Sequence, residues 1–148
     1  METRQTNFSK GEEGEKRIAK RLIELGYNSI HVGGATKYQI DGGKFWSGDL
    51  ASYGLGRTFW VQVKNKEPRK LYPDTGLEKY RFEALKYLTK ESGCPTLLLF
   101  TDNTLKIYGE WVDNLEEEHH PGTYNEKDRI QMIYFWLKNL KSIEQLVF

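Results

Sequence analysis

What this chain lacks narrows its class. No apolar run approaches the roughly 18 residues that a membrane-spanning helix needs. The opening Met1-Glu2-Thr3-Arg4-Gln5 lacks the apolar centre of a secretory signal. Cysteine occurs once, at Cys94, which excludes an intramolecular disulfide. No Cys/His spacing supports a zinc site. Cys94 begins the apolar run 94–100, so a small buried thiol is expected, in a reducing, cytoplasmic location. No repeat, low-complexity stretch or Pro/Gly/Ser linker divides the 148 residues, and one domain over 1–148 is expected. Neither sign of charge dominates: 22 Lys and Arg stand against 21 Asp and Glu, a net charge of +1. The total therefore marks no particular partner, and local patches carry the information.

What is present reads as alternating helices and strands. Asn7 or Ser9 is placed to cap a helix over 10–25, with Ile18, Ala19, Leu22 and Leu25 on one face and Gly26 as its stop. Residues 27–32 read as a strand and 33–45 as a glycine-rich loop. Segments 46–53 and 58–65, separated by Gly54-Leu55-Gly56, predict an antiparallel hairpin. Asp74 or Thr75 is expected to cap a second helix over 76–91, with Leu77, Tyr80, Ala84, Leu85 and Leu88 on its apolar face. The continuous apolar run 95–101 predicts a central strand buried on both sides. Residues 105–111 suggest a neighbouring strand, 113–128 irregular chain, 130–136 a last strand and 139–146 a closing helix. This order predicts an α/β sandwich around a mixed sheet.

One strand carries candidate chemistry: Phe59-Trp60-Val61-Gln62-Val63-Lys64. Alternation sends Phe59, Val61 and Val63 into the core. It leaves Gln62 and Lys64 side by side on the other face, about 6–7 Å apart. Asp49 lies on the preceding strand of the hairpin, so a carboxylate, an amide and an ammonium can converge. Asp49 as a turn residue, and Gln62 and Lys64 as solvent-facing ones, are the plain alternatives. Glu15 stands three and four residues before Ile18 and Ala19, at the end of the helical apolar stripe. A carboxylate aimed at the core needs a partner, and a metal would supply one. A first-turn glutamate favoured by the helix dipole is the alternative, and Glu12 on the same stripe is a substitute for the role.

Gly48-Asp49-Leu50 followed by Gln62-Val63-Lys64 resembles the PD-(D/E)XK nuclease motif. There an acidic residue on one strand precedes an acidic residue, one intervening residue and a lysine on the next. Gly48 stands at the proline position, and Gln62 replaces the second carboxylate, similar to the variant in Mrr-like restriction nucleases. Gly11-Glu12-Glu13-Gly14-Glu15-Lys16 resembles the opening of archaeal Holliday-junction resolvases. The resemblance implies a restriction-endonuclease-like α/β fold, a mixed β-sheet flanked by helices. It also implies a metal-dependent DNA endonuclease acting on branched or duplex DNA, as a homodimer. Its cofactor would be Mg²⁺, with Mn²⁺ as a substitute.

The chemistry needs these residue types. Hydrolysing a phosphodiester brings an anionic nucleophile to an anionic phosphate, and a divalent cation lowers the pKa of bound water and neutralises charge. Magnesium takes hard oxygen ligands and needs only one or two protein carboxylates. The resemblance implies Asp49 as principal ligand, aided by the Gln62 amide oxygen and the Val63 carbonyl, with Glu15 holding a bound water or a second ion. Lys64 would position the attacking water and steady the developing charge. Gln62 adds no negative charge, so weaker metal affinity is expected. An Mrr-like restriction or repair nuclease is a second reading. This chain has no room for a separate recognition domain, so that reading requires a partner subunit. A nuclease-like fold that binds without cutting is a third, and the neutral Gln62 is its best argument.

Lys44, Lys66, Arg69 and Lys70 are candidate phosphate contacts, with a solvated face as the alternative. His119-His120 reads as an exposed loop, His31 as a structural strand residue and Asp41 as a turn. Tyr134-Phe135-Trp136 reads as core packing rather than a base-stacking surface. Gly42-Gly43-Lys44 is no phosphate loop, because Tyr38 stands five before Gly43 and Phe45 follows where Ser or Thr should be. Gly54-Leu55-Gly56 is no dinucleotide fingerprint, because Phe59 occupies the last glycine position.

Overall fold

Helix α1 (Asn7–Glu24) closes where Gly26 takes a positive φ of 99°, a conformation glycine adopts without strain. The structure is a computed structural model that describes residues 7–32, 38–40, 43–45, 48–118, 124–125 and 130–148, with side chains over 10–32, 48–118 and 131–148. After α1 come β1 (Asn28–His31), the short β2 (Tyr38–Ile40) and β3 (Gly43–Phe45), and the hairpin β4 (Leu50–Gly54) and β5 (Arg57–Asn65). Next are β6 (Asp74–Glu78), α2 (Lys79–Ser92), β7 (Thr96–Thr101) and β8 (Ile107–Trp111). The chain ends with β9 (Tyr124–Asn125), β10 (Ile130–Trp136), β11 (Lys141–Ser142) and α3 (Ile143–Val147).

Six strands form the main sheet in the order β1-β4-β5-β7-β8-β11. Strand β5 runs antiparallel to β4 and parallel to β7, so the sheet is mixed. A parallel neighbour requires a crossover, and the β6–α2 excursion provides it. Both expectations for this region hold: 58–65 is half of a hairpin, and β7 is buried along its whole length.

The period of two along β5 divides the molecule. Phe59, Val61 and Val63 join Ile18 and Leu22 of α1, Leu97, Leu99 and the α3 residues Ile143 and Leu146 in one core. On the opposite face Leu98 and Phe100 pack with Leu77, Phe82, Leu85, Ile133 and Phe135 in a second core, covered by α2 and the β6-β10-β9 sheet. Gln62 and Lys64 pair with Leu98 and Phe100 across the parallel ladder, so they belong to this second face.

Several expectations are corrected. Asp74 and Thr75 do not cap a helix; they lie in β6, paired with Trp136 and Phe135 of β10. Gly76 is a poor helix former, and the Tyr134 ring occupies the space a Cβ there would fill. The second helix therefore starts at Lys79, with Tyr80 exposed and Phe82 in the core. Asn7 and Ser9 lie within α1 rather than before it. The stretch 33–45 holds the paired strands β2 and β3 rather than loop alone. The closing helix begins only at Ile143, where Ser142 N donates to Gln145 Oε1 at 3.2 Å. Cys94 is half-buried, not sealed in the core.

Helix α1 lies close on β5 because Gly14 has no side chain: a Cβ there would sit 3.0 Å from Asn65 Cβ and 3.3 Å from Val63 Cγ1. Asn65 Nδ2 donates to Lys10 O at 2.9 Å, and Arg17 Nη1 to Thr101 Oγ1 at 2.7 Å, fastening the helix to the ends of β5 and β7. A Cβ at Gly11 meets no described atom within 4 Å. Two glycines of one helix should thus respond oppositely. Gly11→Ala should raise stability by up to about 1 kcal/mol through helix propensity. Gly14→Leu should lower it by about 1–3 kcal/mol through overpacking. Urea denaturation of both variants tests this, and equal shifts would refute the close seat of α1.

Candidate active site

The ladder between β4 and β5 begins at Leu50, opposite Val61. Continued by two residues it would set Gly48 against Val63, but the chain departs there. A Cβ on Gly48 would lie 2.9 Å from the Val61 carbonyl oxygen, so the departing strand passes too close for a side chain. The Val63 N–H is left without its ladder partner and donates instead to Asp49 Oδ2 at 2.8 Å. Asp49 is thereby held at the sheet's margin, only 7% exposed, with its main chain also engaged as Val32 N donates to its carbonyl.

Five elements bring charge to this point. From α1, Glu15 meets Asp49, and its Oε2 also lies 2.9 Å from His31 Nδ1 on β1. Burial, and then the Asp49 charge, push the Glu15 carboxyl up to about 7, although His31 pulls it down. Burial raises Asp49 as well, opposed by the Val63 N–H and by Arg81, Lys64 and His31. The two acids therefore sit together as a pair that favours holding a proton. From β5, Lys64 Nζ donates to Glu78 Oε1 at 3.0 Å, and Glu78 Oε2 lies 3.5 Å from Arg81 Nε. Burial works against the Glu78 charge, but the Lys64 and Arg81 cations outweigh it and hold its carboxyl below the ordinary range. Gln62 is 1% exposed, and its buried Oε1 has no hydrogen-bond partner among the described residues.

The structure thus brings Glu15, Asp49 and the Val63 main chain together, with Lys64 close enough to act on the Asp49 charge and Gln62 adjoining Val63 on β5. Glu12 lines a groove of about 290 Å³ with Glu15 and His31, but it is Glu15 that meets Asp49. His31 is exposed, with its Nδ1 2.9 Å from Glu15 Oε2. Glu78 and Arg81 were not apparent from sequence. With 76–91 read as one helix, Glu78 looks like a first-turn residue, whereas it ends β6 and turns toward Lys64.

The basic candidates separate. Lys70 is exposed. Lys66 Nζ donates to Gly76 O at 3.2 Å, and burial lowers its pKa. Arg69 is engaged with Asp74, Glu118 and the Tyr134 ring. Asp41, His119, His120 and the Lys44 side chain lie outside the described residues. A larger hollow of about 580 Å³ lies over β8 and contains none of the site residues.

The donor set suits a hard cation. Among the described residues no three His, Cys, Asp or Glu side chains converge as a ligand group. The set here is two carboxylates and a buried amide oxygen lacking a partner, all oxygen, which is what magnesium or manganese accepts.

No known protein family matches the sequence, and no curated protein does. Among solved structures the chain is similar to Hjc of Archaeoglobus fulgidus, a Holliday junction resolvase from an archaeal hyperthermophile, with a TM-score of 0.66 and 14% sequence identity. The match covers 91% of this chain and 98% of that one. The mixed six-stranded sheet flanked by helices is the fold of that resolvase, and the expected fold class holds.

The Glu15 carboxyl sets a pH signature. In the folded chain it binds its proton up to about 7, against an ordinary value of 4.5. Its contribution to stability is full below about 4.5 and is lost as pH rises through about 7. Without added metal, wild-type should therefore lose stability relative to Glu15→Gln across that window. Magnesium should reverse the trend in wild-type alone, since a cation favours the deprotonated pair. Melting curves with EDTA or magnesium from pH 4 to 8 test this, and parallel curves for the two proteins would refute it.

Proposed function

We propose that this protein is a divalent-metal-dependent DNA endonuclease that cuts branched DNA, built as one nuclease-like domain and acting as a homodimer in the cytoplasm. The observation that carries the reading is the convergence of a proton-sharing Glu15–Asp49 pair, the partnerless Gln62 Oε1 and Lys64 at one sheet margin, within a fold shared with a Holliday junction resolvase. Branched DNA follows from that resolvase, and two copies follow from symmetric cutting of a junction.

Each residue has a task. Asp49, Gln62 Oε1 and the Val63 carbonyl would hold the ion, with Glu15 on a bound water or a second ion. Magnesium or manganese would supply charge neutralisation and activation of water at the phosphate. Asp49 is pre-aimed by the Val63 N–H, so little reorganisation is needed. With Asp49, Glu15 would hold a cation in its deprotonated form, giving up the proton the pair otherwise favours. Lys64 keeps its ammonium in place through Glu78, ready to steady charge on the phosphate oxygens. Lys70 offers a phosphate contact, whereas Arg69 is already committed to interior acids.

A second reading is a nuclease fold that binds nucleic acid without cutting. Its support is the neutral Gln62 and the ion pair that occupies Lys64. An Mrr-like restriction or repair subunit remains the alternative suggested by the same Gln62.

Labelled duplex, single-stranded and four-way-junction DNA, each with magnesium, manganese or EDTA, separates these readings. The first expects metal-dependent cutting that prefers the junction. Asp49→Asn keeps an acceptor for the Val63 N–H and should fold normally while losing cleavage. Lys64→Ala should slow cutting by about 10²–10³-fold. Gln62→Glu should tighten metal binding and destabilise the metal-free protein, because it adds a carboxylate beside two others. Binding without cutting in every metal would establish the second reading.

Salt dependence is a further check. Lys70→Ala should lower the slope of log K against log salt by about one unit. Arg69→Ala should instead lower stability by about 3–5 kcal/mol, by leaving buried acids without their cation. The opposite assignment of the two effects would overturn this division of the basic residues.

A further inference from the structure

The first turn of α2 brings a second strong cation to the site. Arg81 lies in that turn, where the helix dipole disfavours a positive charge, so helix stability does not account for it. Its Nε stands 3.5 Å from Glu78 Oε2, and both atoms are buried without a hydrogen-bond partner among the described residues. Buried polar atoms are seldom left in that state. Lys64 Nζ, by contrast, donates to the other oxygen of the same carboxylate at 3.0 Å. The Arg81 guanidinium also lies 5.9 Å from the centre of the Tyr80 ring. An ion pair between residues three apart on a helix surface is the plain account of Arg81. It does not explain a contact that is buried yet too long for a hydrogen bond.

Arg17, Arg21, Arg57 and Arg69 each donate hydrogen bonds within the fold. No hydrogen bond from Arg81 reaches a described residue. Its donors are therefore unspent, although its side chain is only 24% exposed. Its charge is felt at Asp49: of the side chains that hold that carboxyl down, Arg81 acts most strongly, ahead of Lys64. Lys64 and Arg81 set two cations against the one acid they share. The surplus is a single positive charge beside Asp49. A phosphodiester group carries a single negative charge, and a guanidinium offers it a planar fork of N–H donors.

Resting on the nuclease reading above, we propose that Arg81 is a catalytic residue that donates to a non-bridging oxygen of the scissile phosphodiester, beside Lys64. Glu78 is then the shared counter-ion that holds both cations when no DNA is bound. The slack contact between Arg81 and Glu78 lets the guanidinium turn to a phosphate without breaking a hydrogen bond. Negative charge gathers on the non-bridging oxygens as the phosphate is attacked, so a donor aimed at one of them gains strength toward the transition state.

The test uses the full chain and a four-way junction, at the position where wild-type protein cuts it. With saturating protein, Arg81→Ala should cut about 10²–10³-fold more slowly. It should still melt within a few degrees of wild-type, since a surface-type ion pair contributes little. In titration calorimetry without DNA it should bind manganese at least as tightly, because a cation beside the acids has gone. Sulfur in place of either non-bridging oxygen at the cut position supplies a signature. In manganese, one of the two sulfur isomers should slow wild-type through Arg81, and that slowing should be absent in Arg81→Ala, which has already lost the contact. Arg81→Lys keeps the charge and carries the test if the alanine variant does not fold. It should recover little of the rate, since an ammonium lacks the planar fork. Equal sulfur effects in wild-type and variants, full recovery by lysine, or loss of manganese binding would each overturn the contact and make Arg81 a residue that only holds its neighbours. Any of these, with wild-type still cutting in a metal-dependent way, leaves the nuclease reading standing. No cutting by wild-type in any metal would remove that reading and the role of Arg81 with it.

Discussion

The hydrogen bond from the Val63 N–H to the Asp49 carboxylate is the interaction on which the arrangement depends. It exists because β4 leaves β5 just before Leu50, so that a side chain completes a ladder the main chain abandons. A buried donor must be answered, and answering it with a carboxylate immobilises a negative charge at the edge of a sheet. Gly48 makes the departure possible, since a side chain there would press on the Val61 carbonyl. The close seat of α1 over Gly14 then delivers Glu15 to the same point.

Burial and charge oppose each other around this bond. Asp49 and Glu15 stand together in partly desolvated surroundings, and both are pushed toward protonation. A few ångströms along β5, Lys64, Glu78 and Arg81 form a chain of alternating sign, which keeps Glu78 ionised despite its burial. One half of the site is thus short of a cation, and the other sets two cations against one acid. Gln62, on β5 between Val63 and Val61, has a buried amide oxygen that no described residue satisfies. Buried acceptors are seldom left in that state.

Much of this was legible in the residues. The two-residue alternation of Phe59, Val61 and Val63 against Gln62 and Lys64 placed those side chains on opposite faces, because a strand offers no other choice. The apolar stripe of α1 singled out Glu15, and the run at 95–101 marked the doubly buried strand. The segment 74–78 was not legible. Asp74 and Thr75 before an apolar pattern look like a helix start, and only pairing with β10, the Tyr134 ring over Gly76 and the Arg69 partner of Asp74 make it a strand. Those partners lie as far as 62 residues away, Asp74 against Trp136, beyond the reach of any local pattern. Glu78 and Arg81 were hidden by the same misreading.

The sequence by itself determined the period of each main element, the faces they bury and the types of donor available: two acids, an amide and a lysine. These follow from backbone geometry and side-chain chemistry, which are local. Only the tertiary structure decided which donors meet, which cations remain free and which are used up within the fold. Arg69 and Lys70 are neighbours in the chain, yet one is locked against buried carboxylates and the other is exposed. That difference arises because ion pairs and burial are settled by distances across the fold, and those distances exist only once the sheet has formed.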